Sequence, residues 1–282
     1  MNYLSVCSGI EAATVAWHPL GWTPVAFAEI EKFPSAVLAH YYPSVPNWGD
    51  MTKFKEWPDA TFDLLVGGTP CQSFSVAGLR KGLADPRGNL ALTYLALADK
   101  YRPEWLVWEN VPGVLSSGGG RDFGAFVGGL GELGYGWAYR VLDAVHFGTP
   151  LMRRRAYVVG CSRGWKGAAA VLLERTSVTD LRKQVAGVPC IDASGLAKRQ
   201  TMPERGRCWT VHDGYGHRFL TPTEVERLLG FPDDYTAVPY RGKPAADGPR
   251  YKALGNSMAV PVMRWIGQRI QFVATVVKEH AA

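Results

Sequence analysis

Short apolar runs alternate with amphipathic stretches over residues 1–160. Each run has the length of a buried strand, and half of them are followed by glycine or an acidic residue, which is typical of strands in a parallel sheet. The predicted strands are Tyr3–Val6, Pro24–Ile30, Phe62–Val66, Trp105–Trp108, Val141–Val145 and Ala156–Gly160. Since helical patterns separate several of these runs, the sequence predicts βαβ units and an α/β fold.

Apolar residues at helical spacing predict the helices. The predicted helical segments are Glu11–Trp17, Leu90–Lys100, a helix opened by Thr221-Pro222 and ended by Gly230, and a C-terminal helix with Met263, Ile266, Ile270, Val273 and Val277 on one face. Between residue 161 and about residue 219 the periodicity fades. We therefore predict a catalytic domain over residues 1–160, completed by 255–282, and a small domain over 161–254.

Composition narrows the class of protein. The chain has 282 residues, 47% of them hydrophobic, and lacks the apolar run of about eighteen residues that a membrane span needs. No secretory signal pattern opens the chain, and its five cysteines include no C-x-x-C pair. We therefore expect a reduced, cytoplasmic protein without disulfides, a metal site or a membrane partner.

The excess positive charge lies mainly in the predicted small domain. The net charge is +6, and residues 161–218 hold ten lysines and arginines against five acids. This distribution is expected if one face of the protein meets a polyanion, although a solvated surface with scattered charge explains it equally well.

Cys71 has a setting that suits a nucleophile. It follows the strand Phe62–Val66, the glycines Gly67 and Gly68, and Pro70, which fixes the direction of the chain. A thiol at a rigid corner is well placed for covalent chemistry if nearby cations or backbone N–H groups lower its pKa. The alternative from this position alone is a small buried structural cysteine.

Three acids follow predicted strands or turns. Glu29 lies about twenty residues after the first turn, where open α/β folds place a carboxylate on ribose hydroxyls. Asp50 follows a glycine turn, and Glu109 ends the strand Trp105–Trp108 on the edge predicted for Cys71. A plain strand–turn–helix around Ser8-Gly9 and a paired structural role for Glu109 are the alternatives.

Five motifs in order resemble those of the DNA (cytosine-5) methyltransferases. They are Pro70-Cys71-Gln72, Glu109-Asn110-Val111, Arg153-Arg154-Arg155, the segment from Leu220-Thr221-Pro222 to Gly230-Phe231-Pro232-Asp233, and Gly255-Asn256-Ser257. The resemblance implies a Rossmann-like domain that uses S-adenosylmethionine and releases S-adenosylhomocysteine. It also implies an inserted target-recognition domain, which we place at about residues 161–219, within the basic segment.

The resemblance assigns roles to individual positions. The implied catalytic residues are Cys71, Gln72, Glu109, Arg153 and Arg155. The implied cofactor-binding residues are Gly9, Ile10, Glu29, Ile30, Asp50, Met51, Pro70, Asn256 and Ser257. The residues expected to bind DNA are Arg80, Lys81, Arg87, Arg199, Arg205 and Arg207. The chain is expected to act as a monomer on double-stranded DNA; its recognition sequence and any partner restriction endonuclease are left open.

The chain departs from the family pattern near its first strand. Cys7 stands where the family has an aromatic residue, Glu11 stands at its second glycine, and Leu151 replaces a glutamine before the arginines. We therefore expect Ile30, rather than Cys7, to cover the adenine face.

The implied reaction is methylation of cytosine C5. Attack of the Cys71 thiolate on C6 of a flipped base activates C5, and Glu109 engages the Watson–Crick edge. The rival interpretations are a tRNA cytosine-5 methyltransferase, whose usual Cys-Phe-Thr tripeptide is absent here, and a catalytically inactive DNA-binding relative.

Overall fold

The computed structural model describes residues 1–70, 90–173, 210–212 and 217–279. The strands are β1 Asn2–Val6, β2 Thr23–Ala28, β3 Leu64–Gly67, β4 Trp105–Asn110, β5 Gly136–Asp143, β6 Arg154–Cys161, β7 Thr210–His212, β8 His217–Phe219, β9 Pro239–Tyr240 and β10 Lys243–Pro244. The α-helices are α1 Ala12–Trp17, α2 Lys32–Tyr41, α3 Leu90–Tyr101, α4 Arg121–Glu132, α5 Trp165–Leu172, α6 Pro222–Leu229, α7 Asp247–Asn256 and α8 Val260–Glu279. Short 3₁₀ helices are His18–Leu20, Met51–Glu56, Pro112–Leu115, Ser117–Gly120 and Ala144–Phe147.

A mixed sheet forms the centre of the fold. Within the described residues it has six strands in the order β2-β1-β3-β4-β6-β5. Strands β2, β1, β3 and β4 are parallel, and β6 runs antiparallel to both of its neighbours. The predicted α/β class is thus confirmed.

Alternate residues of each strand enter two hydrophobic cores on opposite faces of the sheet. Leu64 and Val66 point to one core, whereas Leu65 points to the other. The first core is covered by α1, α5, α6 and α8, and the second by α3 and α4. A sheet that is buried on both faces explains why its strands are continuously apolar in sequence.

The last two strands of the sheet differ from the sequence prediction. The segment predicted as Val141–Val145 is β5, which begins at Gly136 and ends at Asp143. The Asp143 carboxylate accepts a hydrogen bond from the N–H of Arg153 at 2.8 Å and caps the 3₁₀ turn Ala144–Phe147. Only residues 144–153 connect β5 to β6, which is too short for a crossover with an α-helix, and the two strands pair as an antiparallel hairpin.

Helix α8 closes the fold against α1. The predicted apolar face is confirmed, because Met263, Ile266 and Ile270 are fully buried. The indole N–H of Trp17 donates to the carbonyl of Met263 at 2.7 Å. Gly267 lies so close to that indole that an added Cβ would come within 2.4 Å of its nitrogen.

Parts of the range predicted as a small domain pack beside the main sheet. In α5, Ala168, Val171 and Leu172 are buried in the core that also contains α8. Farther along, the buried carboxylate of Glu226 pairs with Arg250 at 3.1 Å and joins α6 to α7. The packing groups α5 with the main sheet, and the division into two domains stays a prediction.

We predict that Gly267→Ala destabilises the protein. The new methyl group must displace the buried Trp17 ring, and overpacking of this kind costs about 1–3 kcal/mol of unfolding free energy. Gly124→Ala in α4 is the matched control, since an added Cβ there meets nothing within 4 Å; it should stabilise the protein by about 0.5–1 kcal/mol. Urea unfolding of both variants checks the prediction, and equal effects would contradict it.

Candidate active site

A large cavity lies at the carboxyl ends of β1 to β4. Its volume is about 730 Å³. Residues that follow each of the four strands line it, and residues of α7 close it from the other side. Of the predicted site residues, the following line it: Gly9, Glu29, Ile30, Asp50, Met51, Pro70, Glu109, Arg153, Arg155 and Asn256.

The turn after β1 and the acid after β2 are joined directly. Gly9 donates its N–H to Glu29 Oε2 at 2.7 Å, and Glu31 donates its N–H to Glu29 Oε1 at 2.7 Å. Gly9 has a φ of 58°, which favours glycine. The side chain of Asn47 binds both the N–H and the carbonyl of Glu29. The Glu29 carboxylate is therefore fixed at the cavity wall.

Ile30 and Asp50 also line the cavity. Ile30 exposes 69% of its surface although it is a large apolar residue, and it does so into the cavity. Opposite it, Asp50 caps the 3₁₀ helix Met51–Glu56 by accepting the N–H of Thr52 at 2.9 Å. The wall thus combines an apolar surface with carboxylates that can accept hydrogen bonds.

Cys7 packs against the cavity wall through its sulfur. Its thiol lies 3.4 Å from the sulfur of Met51. Burial, with the negative charges of Glu29 and Asp50, raises the pKa of the Cys7 thiol to about 12. A thiol in that environment stays protonated and acts as a small apolar residue.

The chain that leads to Cys71 is anchored to β4. Thr69 accepts a hydrogen bond from the indole N–H of Trp108 at 2.9 Å, and its carbonyl accepts one from the Asn110 side chain at 2.9 Å. Both donors are buried. Pro70, which follows, therefore starts from a fixed position on the cavity wall.

Glu109 is the buried acid of this part of the cavity. Arg155 Nε lies 3.2 Å from Glu109 Oε1. Burial raises the pKa of the Glu109 carboxyl, and the charges of Arg155 and Arg153 act in the opposite direction. Gly68 makes room for the carboxylate, because an added Cβ would lie 2.9 Å from Glu109 Oε2.

Arg153 and Arg155 reach this edge because β6 is antiparallel. Its amino end lies beside the carboxyl end of β4, where Asn110 is opposite Ala156. The two arginines have different contacts. Whereas Arg155 pairs with Glu109, the Arg153 guanidinium donates to the carbonyls of Gly255 and Ser257 at 3.0 and 2.6 Å. Arg153 thus connects the cavity to the junction of α7 and α8.

The C-terminal segment supplies the last wall. The motif Gly255-Asn256-Ser257 includes the end of α7, and helix geometry continues through Asn256. At the mouth, Lys252 Nζ lies 3.0 Å from a Glu31 carboxylate oxygen. Ser257 is buried and lines a second cavity of about 40 Å³ that adjoins the first.

Ile10 is the cofactor residue that the structure places elsewhere. Its side chain is fully buried in the core and contributes to neither cavity. Its carbonyl accepts a hydrogen bond from the hydroxyl of Tyr235 at 3.0 Å. No local pattern in the sequence indicates this contact, because Tyr235 and Ile10 are 225 positions apart.

Several predicted residues lie outside the described residues. They are Cys71, Gln72, Arg80, Lys81, Arg87, Arg199, Arg205 and Arg207. The sequence did not predict a role for Thr69 or Trp108; the only indication was that they are close in sequence to the predicted residues Cys71 and Glu109.

Among the helices that the structure describes, none has the length and apolar character of a membrane span.

The fold is that of the S-adenosylmethionine-dependent methyltransferases. It is similar to the crystal structure of the Dnmt2 methyltransferase from S. pombe, with a TM-score of 0.70 and 17% identity over 97% of this chain and 99% of that one. At this identity the likeness shows the fold alone.

The sequence match defines the family. The model of the C-5 cytosine-specific DNA methylase family matches residues 1–186 and 165–272, so the chain belongs to this family. The family and the fold imply S-adenosylmethionine as the cofactor.

Curated relatives are methyltransferases. A protein of Escherichia phage P1 named DNA N-6-adenine-methyltransferase is 33% identical over 95% of this chain, which spans 61% of that relative's length. The type II methyltransferase M2.BsuMI of Bacillus subtilis is 28% identical over 96% of this chain and 75% of its own length.

We predict that Asn110→Asp loosens the anchor of the Cys71 segment. Aspartate still accepts the N–H of Val111 but cannot donate to the Thr69 carbonyl, so a buried acceptor loses its partner. The expected loss of unfolding free energy is about 1–3 kcal/mol. Thermal unfolding measures it, with Ser116→Ala, which removes an exposed side-chain bond to the Gly113 carbonyl, as the control. Equal stability of the two variants would remove Asn110 from this role.

Proposed function

We propose that the chain transfers a methyl group from S-adenosylmethionine to C5 of a flipped cytosine in double-stranded DNA, through a covalent bond between Cys71 and C6. The observation that carries the proposal is the convergence in one cavity of Glu109, Arg155 and the anchored residue Pro70 with the acids Glu29 and Asp50. Recognition of the target is assigned to residues 161–219, whose basic excess suits phosphate contacts.

The size of the cavity and the groups that line it suit the cofactor. Its volume lies within the range of about 300–1,000 Å³ that is usual for small-molecule sites. Glu29 and Asp50 offer carboxylates to hydroxyl and amino groups, and Ile30 offers an exposed apolar surface to a flat ring. When bound, S-adenosylmethionine supplies an electrophilic methyl group. Gly9, Asn256 and Ser257 complete the proposed binding set.

The protein's own groups carry the steps on the base. Attack of the Cys71 thiolate on C6 makes C5 nucleophilic, which a free cytosine is not. After methyl transfer, loss of the C5 proton breaks the C6–S bond and releases the Cys71 thiolate. Because burial raises the pKa of Glu109, its protonated form is favoured relative to an exposed acid and can donate to N3 of the base. Arg155 orients the Glu109 carboxyl through their contact.

The alternatives differ in substrate or in activity. A tRNA methyltransferase would share the chemistry, but the Cys-Phe-Thr tripeptide that such enzymes usually carry is absent. An inactive DNA-binding relative would not need both Cys71 and Glu109. Adenine N-6 methylation, for which the phage relative is named, requires no thiol nucleophile. The pair of Cys71 and Glu109 therefore favours cytosine C5.

We predict that Glu29→Ala weakens binding of S-adenosylmethionine by about 1.5–3 kcal/mol, because a charged hydrogen-bond acceptor is lost. Calorimetry without DNA measures the change. Glu132→Ala is the control, since Glu132 is an exposed carboxylate at the end of α4 that does not line the cavity. Unchanged affinity of Glu29→Ala would exclude Glu29 from the cofactor site.

We predict that Cys71 can be trapped on the base. Fluorine at C5 cannot leave as a cation, so the enzyme should stay attached to DNA that contains 5-fluorocytosine in a target site, and only when S-adenosylmethionine is present. Cys71→Ser should abolish the adduct and leave DNA binding intact, because a serine hydroxyl is hardly ionised at neutral pH.

The same assay separates the alternatives. Denaturing electrophoresis detects the adduct, and nucleoside analysis of methylated nucleic acid distinguishes 5-methylcytosine from N6-methyladenine. Preferential trapping on RNA would indicate the tRNA enzyme, and an absence of methylation on any nucleic acid would indicate the inactive relative. Methylation of DNA by Cys71→Ser would contradict the covalent mechanism.

A further inference from the structure

Glu11 is a buried acid directly behind the proposed cofactor site. Its exposed fraction is 1%. Its φ and ψ of 64° and 57° lie in the left-handed region, which favours glycine. The resemblance places a glycine at this position, so the glutamate is accommodated here at a steric cost. The backbone conformation therefore does not explain why a glutamate stands at this position.

The partners of the Glu11 carboxylate are neutral. Ser5 Oγ donates to Glu11 Oε2 at 2.8 Å, and the N–H and hydroxyl of Thr14 donate to Oε1 at 3.2 and 3.1 Å. The charged side chain that acts on it is another acid, Glu29. Among the described residues no lysine, arginine or histidine contributes to its pKa. A buried charge is normally paired, so this carboxylate lacks the partner that it would need when ionised.

Burial raises the pKa of the Glu11 carboxyl to about 7. Hydrogen bonds from Ser5 and Thr14 lower it, and the charge of Glu29 raises it further. The hydroxyls of Tyr3, Tyr42 and Tyr235 also face this region, and burial raises the pKa of each above its ordinary value. These phenols stay neutral near pH 7. Glu109, across the second cavity, also has a raised pKa.

The second cavity connects Glu11 to the proposed site. Besides Glu11, it touches Gly9, Glu109, Asn256 and Ser257. Its volume of about 40 Å³ exceeds the roughly 10–15 Å³ that one water molecule needs. Gly9, Glu109 and Asn256 also line the large cavity. An ionised Glu11 therefore lies beside groups that line the proposed cofactor site, in an interior that screens its charge less than bulk water does.

We propose that Glu11 is a specificity-determining residue whose negative charge favours the cationic sulfonium form of the cofactor over the neutral product. It thereby makes the site bind the methyl donor more tightly than the product. Methyl transfer turns the cationic sulfonium into a neutral thioether, and the rest of the molecule keeps its charge. A buried anion consequently stabilises the donor but not the product, which favours product release. The inference rests on the proposed cofactor site.

The test compares two ligands. Calorimetry gives the dissociation constants of S-adenosylmethionine and S-adenosylhomocysteine for the wild type and for Glu11→Gln. Glutamine keeps the size and one acceptor oxygen for Thr14, and its amide N–H can donate to the Ser5 hydroxyl. In Glu11→Gln the preference for the donor should fall about tenfold, as expected for the loss of one attraction between opposite charges in a partly screened interior. The affinity for the product should change less than the affinity for the donor.

The pH dependence gives a second readout. Glu11 is ionised above its pKa and protonated below it. The wild-type preference for the donor should therefore be full above about pH 8 and should decline as the pH falls through about 7. In Glu11→Gln the preference should be low and independent of pH. An analogue with a primary ammonium in place of the methylsulfonium should behave like the donor.

A matched control and the wild type itself make the test decisive. Glu132→Gln removes an exposed carboxylate at the end of α4 that does not line the cavity, and it should leave the ratio of the two affinities unchanged. If Glu11→Gln does not fold, the pH series on the wild type is paired with one on Glu109→Gln: the pH dependence should persist there, and its loss in Glu109→Gln would overturn the inference. A ratio that is independent of pH, or a pH dependence that persists in Glu11→Gln and so belongs to Glu109, would overturn the inference.

The same measurements distinguish failure of the proposed cofactor site from failure of the role proposed for Glu11. Wild-type protein that bound neither ligand would refute the proposed cofactor site, and the inference with it. Protein that bound both ligands with an unaltered ratio in Glu11→Gln would refute the role of Glu11 alone.

Discussion

The buried guanidinium of Arg153 joins two parts of the chain that the cavity requires. It lies at the start of β6, with an exposed fraction of 3%, and donates to the carbonyls of Gly255 and Ser257. Carbonyls at the end of a helix lack intrahelical partners, and a cation there also opposes the negative end of the helix dipole. Through this contact the end of α7, and with it Asn256, becomes a wall of the cavity.

The direction of β6 determines the charge balance of the site. Because β6 is antiparallel to β4, its first residues lie at the edge where the parallel strands end. Arg153 and Arg155 thus face Glu109, and they oppose the effect of burial on its pKa. A parallel strand would have placed these arginines at the other edge of the sheet, and Glu109 would have been buried without a cation.

The sequence predicted those features that depend on local patterns. Strands β1 to β4, helix α1 and the capped start of α6 follow from apolar runs and from Thr221-Pro222, since neighbouring residues decide them. Glu29 and Glu109 could be expected at the cavity, because the carboxyl ends of parallel strands share an edge. The chemistry assigned to them stays a prediction.

Features that depend on distant contacts were beyond local reasoning. The antiparallel hairpin of β5 and β6 depends on the Asp143 cap, which binds the N–H of Arg153 across the connection. The contacts of Arg153 bridge 102 and 104 positions of the sequence, so no nearby residue signals them. In the sequence, Glu11 is only a residue that stands where the resemblance places a glycine. Its burial among neutral partners, seen in the structure, reveals an acid without a cationic partner in the described part of the chain.

The contact between Trp17 and Met263 has a consequence for the order in which the protein forms. These residues are 246 positions apart, and their hydrogen bond lies between the helices that enclose one core. Contacts of such separation form late, because a long loop must close before they stabilise anything. During synthesis the sheet edge with Glu29 and Glu109 emerges well before α7 and α8 can cover it. The nascent chain therefore has to keep an incomplete core soluble until nearly all of these residues have left the ribosome.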